Sequence, residues 1–335
     1  MSTSTIYVGI VTYNSLSDLP TNLESLKAQK FPQIVVTILD NASTEDIISW
    51  VQKNHPTIKV IQNPTNVGFA RAHNLIIEQI SFNDSDYYLA LNPDVIMHPE
   101  YIERLVSGLQ QYDADWGIGK LLLPDPTSPR IYSVGHALLR NGFAYNIGYG
   151  LPDGLEYNTS REIFGAAGAA VLYSAQFIQQ IKCEGAFFDP RMFMYSEDVD
   201  VDWRGRRAGF RCWYIADAVA THRGSNPAVM LQDIALANRF LMILKNAYWI
   251  DLIRFSLPQM SAHLLLRLLI TPRRGVRIAR LVLRHARSSI QYRSRPQASH
   301  ATLKKWYKWS AIQPTNTPHT FRERWKSFKQ HDERN

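Results

Sequence analysis

The feature that most limits what this 335-residue chain can fold into is its opening rhythm, in which short β-branched apolar runs alternate with segments of helical period. Ile6 to Val11 precedes a helical pattern carrying Leu16, Leu19, Leu23 and Leu26, and Ile34 to Leu39 precedes another from about Thr44 to Lys53. A short run at Lys59 to Ile61, a helix from about Ala70 to Ile80 and a strand at Tyr87 to Leu91 continue the series. Strand, helix and strand in this order imply a Rossmann-like α/β fold with a mostly parallel sheet, because parallel neighbours need a crossover long enough to span the sheet. The run IVVTIL is continuously apolar, as a strand covered on both faces must be. In such sheets ligands bind beyond the carboxyl ends of the strands, so chemistry is sought just after each strand.

Three of those strand ends are polar. They read Val11-Thr12-Tyr13-Asn14, Leu39-Asp40-Asn41-Ala42-Ser43 and Leu91-Asn92-Pro93-Asp94. Asp40 suits a hydrogen bond from a nucleoside base or ribose; the bland alternative is a turn in which Ser43 and Asp46 form a capping box. Asn66 to Asn74, with Gly68 at its turn, opens a helix whose backbone N–H groups suit a phosphate or sugar. Asp94, behind Pro93, is the metal candidate of this half, since Mg²⁺ or Mn²⁺ needs few protein oxygens when a substrate supplies phosphate.

From about Trp116 to Thr159 the chain turns Gly- and Pro-rich, as strands joined by long loops would be, a natural place for acceptor recognition. Order returns with GAAGAAVLYS, a helix at about Ala175 to Ile181 and a strand at Phe210 to Ala216. Glu197, Asp198, Asp200 and Asp202 then place four carboxylates in six residues among Met194, Val199, Val201 and Trp203. Adjacent carboxylates repel, which lifts a pKa toward the range of a general base; a solvated helix start is the structural alternative. His222, in Ala220-Thr221-His222-Arg223-Gly224-Ser225, suits a metal ligand or a phosphate contact.

The ordered set VTYNS, LDNAST, NVGFARAHN, LNPDV, GAAGAAVLYS, FFDPRMFMYSEDVDVDWR and THRGS resembles the family 2 glycosyltransferases over about residues 5 to 245. Within that family it is most similar to the bacterial rhamnosyltransferase-like members. The resemblance implies a GT-A fold, a nucleotide-diphosphate-sugar donor, Mg²⁺ or Mn²⁺, and inversion at the anomeric carbon. It assigns Thr12, Tyr13, Asn14, Asp40, Asn66, Gly68, Asn74 and Asn92 to the donor and Asp94 to the metal. Asp198 becomes the catalytic base, with Glu197 orienting the acceptor or sharing its proton. Asn92 stands where the family's D-x-D motif begins with Asp, so His222 gains weight as a second metal ligand. The subgroup further implies L-rhamnose from dTDP-rhamnose, with galactofuranose, mannose or glucosamine as other donors, and a polyprenyl-diphosphate-linked saccharide acceptor in O-antigen or other surface polysaccharide synthesis.

Charge divides the chain. Residues 267–335 hold 17 Lys+Arg against 3 Asp+Glu, a net of +14, which leaves −6 for residues 1–266. A mildly acidic body with a basic extension expects an anionic surface as partner. Val276, Ala279, Leu283, Ala286 and Ile290 share a stripe beside Arg277, Arg280, Arg284 and Arg287, as in an interfacial helix, and Trp306, Tyr307, Trp309 and Trp325 add candidate interface anchors. A helix docked on the body is the alternative. No run approaches the roughly 20 apolar residues of a spanning helix. The expected plan is a catalytic domain at 1–245, divided at about 115 into nucleotide-sugar and acceptor halves, and a helical, basic, membrane-associating extension at 246–335. With only Cys183 and Cys212 and no export signal at the start, the expected place is the cytoplasm, peripheral on the inner face of the membrane.

Rival classes fit less well. A dinucleotide-dependent oxidoreductase lacks its G-x-G-x-x-G after the first strand. A nucleotidyltransferase lacks a Gly-rich phosphate loop near the N-terminus. A nucleic-acid binder leaves the ordered acidic motifs without a purpose, so no nucleic-acid partner is expected. A processive polysaccharide synthase would need spanning helices and a Q-x-x-R-W motif.

Overall fold

The computed structural model describes residues 4–125, 127–224, 229–293 and 298–308. Its first quarter follows the sequence pattern: β1 (Ile6–Thr12), α1 (Leu19–Lys27), β2 (Ile34–Asp40), α2 (Ile47–Asn54), β3 (Lys59–Gln62), α3 (Gly68–Ile77) and β4 (Tyr87–Leu91). Strand β1 pairs in parallel with β2 and β4, and β2 with β3. Thr12 lies beside Asp40 in the register, so the first two motifs share one sheet edge. One detail differs from expectation. Asp46 itself caps α2, accepting from the Ser49 N–H at 3.2 Å, while the Ser43 hydroxyl turns back to Asp40 at 2.5 Å.

The second half continues with β5 (Val95–Met97), α4 (Tyr101–Gln111), β6 (Trp116–Leu122), β7 (Ile131–Ser133), β8 (His136–Leu139), β9 (Ala144–Asn146), β10 (Arg161–Ile163), β11 (Ala170–Ser174), α5 (Ala175–Gln180), α6 (Glu197–Ala208) and β12 (Cys212–His222). The main sheet runs β10-β12-β6-β11-β4-β1-β2-β3. Strand β11 enters antiparallel between β4 and β6, and β12 lies parallel to β6. That reversal brings the start of β11 and its preceding Gly165–Ala169 loop to the edge where β1, β2 and β4 end, tied by the Asn92 N–H to the Ala169 carbonyl at 2.8 Å. The end of β12 reaches the same place through β5, with His222 opposite Val95.

The C-terminal helices are α7 (Val229–Asn246), α8 (Trp249–Asp251), which continues through a π-helical turn into α9 (Leu257–Ile270), α10 (Pro272–Gln291) and α11 (His300–Lys304), followed by β13 (Tyr307–Lys308). Phe240, Ile243, Leu252, Met260 and Ile278 share one apolar cluster with Leu138, Phe164, Met192 and Trp203, so a continuous core crosses residue 245. Lys245, which the sequence presents as an interruption of an apolar helix, is fully buried and bonds Asp189 at 2.6 Å and Asp200 at 2.7 Å. Helix α10 docks through Ile278, Leu281, Val282 and Ala286. Val276, Leu283 and Ile290 stay exposed beside Arg277, Arg280, Arg284 and Arg287, so the helix combines a docked face with an exposed basic-apolar one. The expected anchors divide. Trp306 packs under the Arg206 guanidinium at 4.2 Å and Tyr307 joins β13, which pairs with β8, so both serve the fold; Trp309 and Trp325 lie outside the described residues. Among the described residues no helix is long and apolar enough to cross a membrane.

Candidate active site

The nucleotide-side candidates form a layered corner where β1, β2 and α3 begin or end. Thr12 is fully buried and donates from its hydroxyl to Asp40 Oδ1 at 3.2 Å. Asp40, equally buried, also accepts from the Ser43 hydroxyl and N–H. Tyr13, by contrast, is 52% exposed. Asn14 stands in left-handed backbone at φ 51° and accepts from the Thr44 N–H at 2.8 Å and hydroxyl at 3.0 Å, bolting the two loops together.

Two of the asparagines expected to face the donor are committed elsewhere. The Asn66 carboxamide oxygen accepts from Asn41 and from the Gly68 N–H, both at 2.9 Å. Asn74 is buried; its amide donates to the Phe188 carbonyl at 2.8 Å and accepts from the Phe188 N–H at 2.9 Å. With one bond at each end of the amide, Asn74 tethers the segment before α6. Gly68 holds φ +80°, and a Cβ there would sit 2.1 Å from the Phe193 carbonyl oxygen. Only glycine permits that backbone approach.

Asp94 and His222 meet as expected. His222 Nε2 lies 3.1 Å from Asp94 Oδ1, and Asn92 Nδ2 lies 3.5 Å from the same ring nitrogen. The Gly224 N–H donates to Asp94 Oδ2 at 3.0 Å, and buried Asn22 of α1 braces the turn by donating to the carbonyls of Asn92 and Val95. Burial pushes the Asp94 carboxyl up, but the bond and charge of His222 and the backbone donors outweigh it and hold the pKa below its ordinary value. Among the described residues no group of three or more His, Cys, Asp or Glu gathers around a common point.

The second acidic centre opens α6. Glu197 is buried with Oε2 unpartnered, and burial, then the Asp198 charge, raises its carboxyl well above the usual range. Asp198 is more open; its Oδ2 accepts from the Gly168 N–H at 3.0 Å. Behind it stands a residue the motif reading passed over. His136 Nε2 lies 3.7 Å from Asp198 Oδ2, and His136 Nδ1 lies 2.8 Å from Asp202 Oδ2. Burial works against a charged His136, yet Asp198 and Asp202 outweigh it and raise its pKa. Burial also lifts Asp202, but three donors face that carboxylate: His136, the Trp116 indole at 2.9 Å and the Ala166 N–H at 3.1 Å. That donor set favours an imidazolium between two carboxylates. Gly165 is required here because a Cβ would fall 1.9 Å from Asp202 Oδ2.

Tyr132 joins the two centres. Its ring meets the His222 ring edge-on at 4.2 Å, and burial, followed by the charges of Asp198 and then Asp94, raises its hydroxyl pKa above the ordinary value. Residues 7–169, which hold the polar β1–β2 corner, Asn92 and Asp94, fit the family described as Glycosyl transferase family 2; Glu197, Asp198 and His222 lie beyond the matched segment. The chain is a glycosyltransferase with a family 2 domain.

Among similar proteins, the glycosyltransferase is 25% identical over 299 residues to an N-acetylglucosaminyl-diphospho-decaprenol L-rhamnosyltransferase of Mycobacterium tuberculosis, covering 79% of this chain and 94% of the relative. An uncharacterized glycosyltransferase of Haemophilus influenzae is 24% identical over 120 residues, 35% of this chain and 36% of the relative. Of solved structures, GalNAc-T7 with UDP, GalNAc and Mn²⁺ superposes with a TM-score of 0.56 at 12% identity, covering 74% of this chain. TarS of S. aureus superposes with a TM-score of 0.51 at 16% identity, covering 86% of this chain. The glycosyltransferase spans about half of each solved chain, 49% and 54% respectively. These likenesses show the GT-A fold. His136 and Tyr132 carry no signal within the family motifs; they come from the loop-rich segment, and only their approach to Asp198 and His222 marks them, whereas Asp202 belongs to the acidic motif itself.

Proposed function

We propose that this enzyme transfers a single sugar from a nucleotide-diphosphate donor to a saccharide carried on polyprenyl diphosphate, with inversion at the anomeric carbon. L-Rhamnose from dTDP-rhamnose is the favoured donor, and synthesis of O-antigen or another surface polysaccharide the setting. The observation that carries the reading is the approach of Tyr132 to both the Asp94–His222 pair and Asp198, one centre for a leaving diphosphate and one for an attacking hydroxyl. The name of the mycobacterial relative, which matches nearly its full length, supports rhamnose and the diphospholipid acceptor.

In this mechanism Tyr13 and Asn92 meet the donor directly, while Thr12 holds Asp40 for the nucleotide and Asn14, Asn66, Gly68 and Asn74 shape the walls. One carboxylate oxygen and one imidazole nitrogen 3.1 Å apart fit Mg²⁺ or Mn²⁺, with the remaining ligands coming from the diphosphate and water. Asp94 and His222 would hold such an ion, which would supply Lewis-acid charge neutralisation for a leaving diphosphate. Asp198 accepts the proton of the acceptor hydroxyl as that oxygen forms the new bond to the anomeric carbon and the bond from that carbon to the diphosphate oxygen breaks. Glu197, its pKa raised by burial, donates or accepts a hydrogen bond without competing as base. His136 acts through Asp198, orienting the carboxylate and balancing its charge.

The test is a screen of nucleotide sugars with Mg²⁺ or Mn²⁺ and polyprenyl-diphosphate saccharides, following nucleotide-diphosphate release. Asp198→Asn is expected to lower kcat by about 10²–10⁴-fold while leaving the fold intact. Wild-type turnover in the mutant would remove Asp198 from the role.

A further inference from the structure

Beyond the residues matched by the family lies a cavity of about 410 Å³ between the start of α6 and helices α7, α9 and α10, its walls including Tyr195, Arg239, His263, Leu266, Arg267 and Arg274. Its charge is lopsided. Asp233, the one carboxylate in the wall, is already bonded by Arg274 at 2.8 Å and Arg277 at 3.1 Å. Burial, then the charges of Arg239 and Arg267, lower the His263 pKa, so that ring is neutral at pH 7 and adds a donor without another charge.

Arg239 carries the argument. Burial lowers its pKa, its guanidinium lies 4.7 Å above the Phe143 ring, and no carboxylate among the described residues pairs with it. A desolvated guanidinium with only a ring for company is a costly arrangement that an incoming anion relieves. Its planar fork, in a wall that also carries the positive charge of Arg267, suits the oxygens of a diphosphate.

The cavity is also connected at both ends. Tyr195 and Ser196 hold left-handed backbone at φ 68° and 72° immediately before Glu197, and Asn238, the neighbour of Arg239, donates to the carbonyls of Met194 and Tyr195 at 2.9 and 3.1 Å. Three residues separate the Tyr195 wall from Asp198, at most about 11 Å between Cα atoms. On the other side Leu265, Leu266 and Leu269 of α9 are exposed, Leu269 at 72%.

We infer that this cavity seats the diphosphate of the lipid-linked acceptor, with the isoprenoid chain leaving across the α9 leucines and the saccharide reaching past Tyr195 to Asp198. The inference rests on the lipid-linked acceptor proposed above. It assigns acceptor recognition to the helices that follow the family domain, and the short span to Asp198 selects the sugar nearest the diphosphate as the one extended.

The test is direct binding of farnesyl diphosphate to the full-length enzyme in detergent, followed by tryptophan fluorescence, with farnesol, inorganic pyrophosphate and dTDP in parallel. Farnesyl diphosphate is expected to bind at least about tenfold more tightly than farnesol or pyrophosphate. Arg239→Met is expected to weaken it about tenfold or more, Arg239→Lys less, and Arg267→Met, on a separate helix, to shift it in the same direction, while dTDP binding stays unchanged. Equal binding of farnesyl diphosphate to wild type and to folded Arg267→Met and Arg239→Met overturns the proposal, as does equal affinity for pyrophosphate or farnesol. Asp198→Asn separates the two readings, since it should keep farnesyl diphosphate binding and lose sugar transfer; retained transfer would count against the mechanism and leave the cavity assignment to its own binding data.

Discussion

At the scale of residues, the site distinguishes two adjacent acids by environment alone. Glu197 is buried, and that burial, with the Asp198 charge, raises its carboxyl above the ordinary range, whereas Asp198 is reached by a backbone donor and by His136. The raised pKa of His136 sets the sign of a pH effect. A histidine whose folded pKa lies above its unfolded value contributes stability that is fully present below about pH 6.5 and is lost as pH rises through the folded value. The thermal-midpoint difference between wild type and His136→Gln is therefore expected to be largest at about pH 6 and to shrink toward about pH 9. The same substitution should lower kcat about tenfold, equivalent to 1.4 kcal/mol, with little change in donor KM. A midpoint difference that grows with pH would contradict the imidazolium assignment.

At the scale of elements, α6 is the part that must not move, since it carries both acids at its start. Its first turn is fastened by a buried network in which Lys245 of α7 bridges Asp189 and Asp200, while Arg204 bonds Asp200 and Arg191 bonds Asp189. Burial would lift the Asp189 carboxyl, but Lys245 and Arg191 hold it far below its ordinary range. Removing one partner of such a group leaves charge uncompensated. Lys245→Met is expected to cost about 3–5 kcal/mol, measured as the shift in the denaturant midpoint at constant slope. An unchanged midpoint would show that α7 holds α6 by apolar packing alone.

At the scale of the whole molecule, the C-terminal helices both complete the core and present an unpartnered surface. Trp249, Ile250, Ile253, Leu265 and Leu269 are exposed on the α8–α9 segment, and Leu283 is exposed on α10 beside its arginines. An apolar surface bordered by Arg suits an anionic bilayer. Truncation of α10 is a poor probe, because Ile278 and its neighbours belong to the core. The combined change Arg280→Gln, Arg284→Gln and Arg287→Gln leaves that core untouched. It is expected to weaken binding to phosphatidylglycerol vesicles by about 1 kcal/mol per charge, read by co-sedimentation at low salt, and to leave neutral vesicles unaffected. Equal sedimentation of mutant and wild type would assign these arginines to another purpose.

The β-α alternation of the first quarter, the polar strand ends and the adjacent acids Glu197 and Asp198 were legible in the sequence, because strand and helix periods and local motifs are carried by neighbouring residues; that Asp94 and His222 lie side by side was for the fold to show. The sequence also placed the basic charge in the C-terminal region. What only the tertiary structure decided came from contacts between residues far apart in the chain. The antiparallel insertion of β11 set the Gly168 N–H on Asp198, α3 tied Asn74 to the Phe188 backbone, and the loop-rich segment delivered His136 and Tyr132 to the acids. Lys245 read as a break in an apolar helix until Asp189 and Asp200 met it in the interior. Period and motif report which face a residue prefers; partner and burial, which fix its charge and its freedom to bind, depend on how the elements pack.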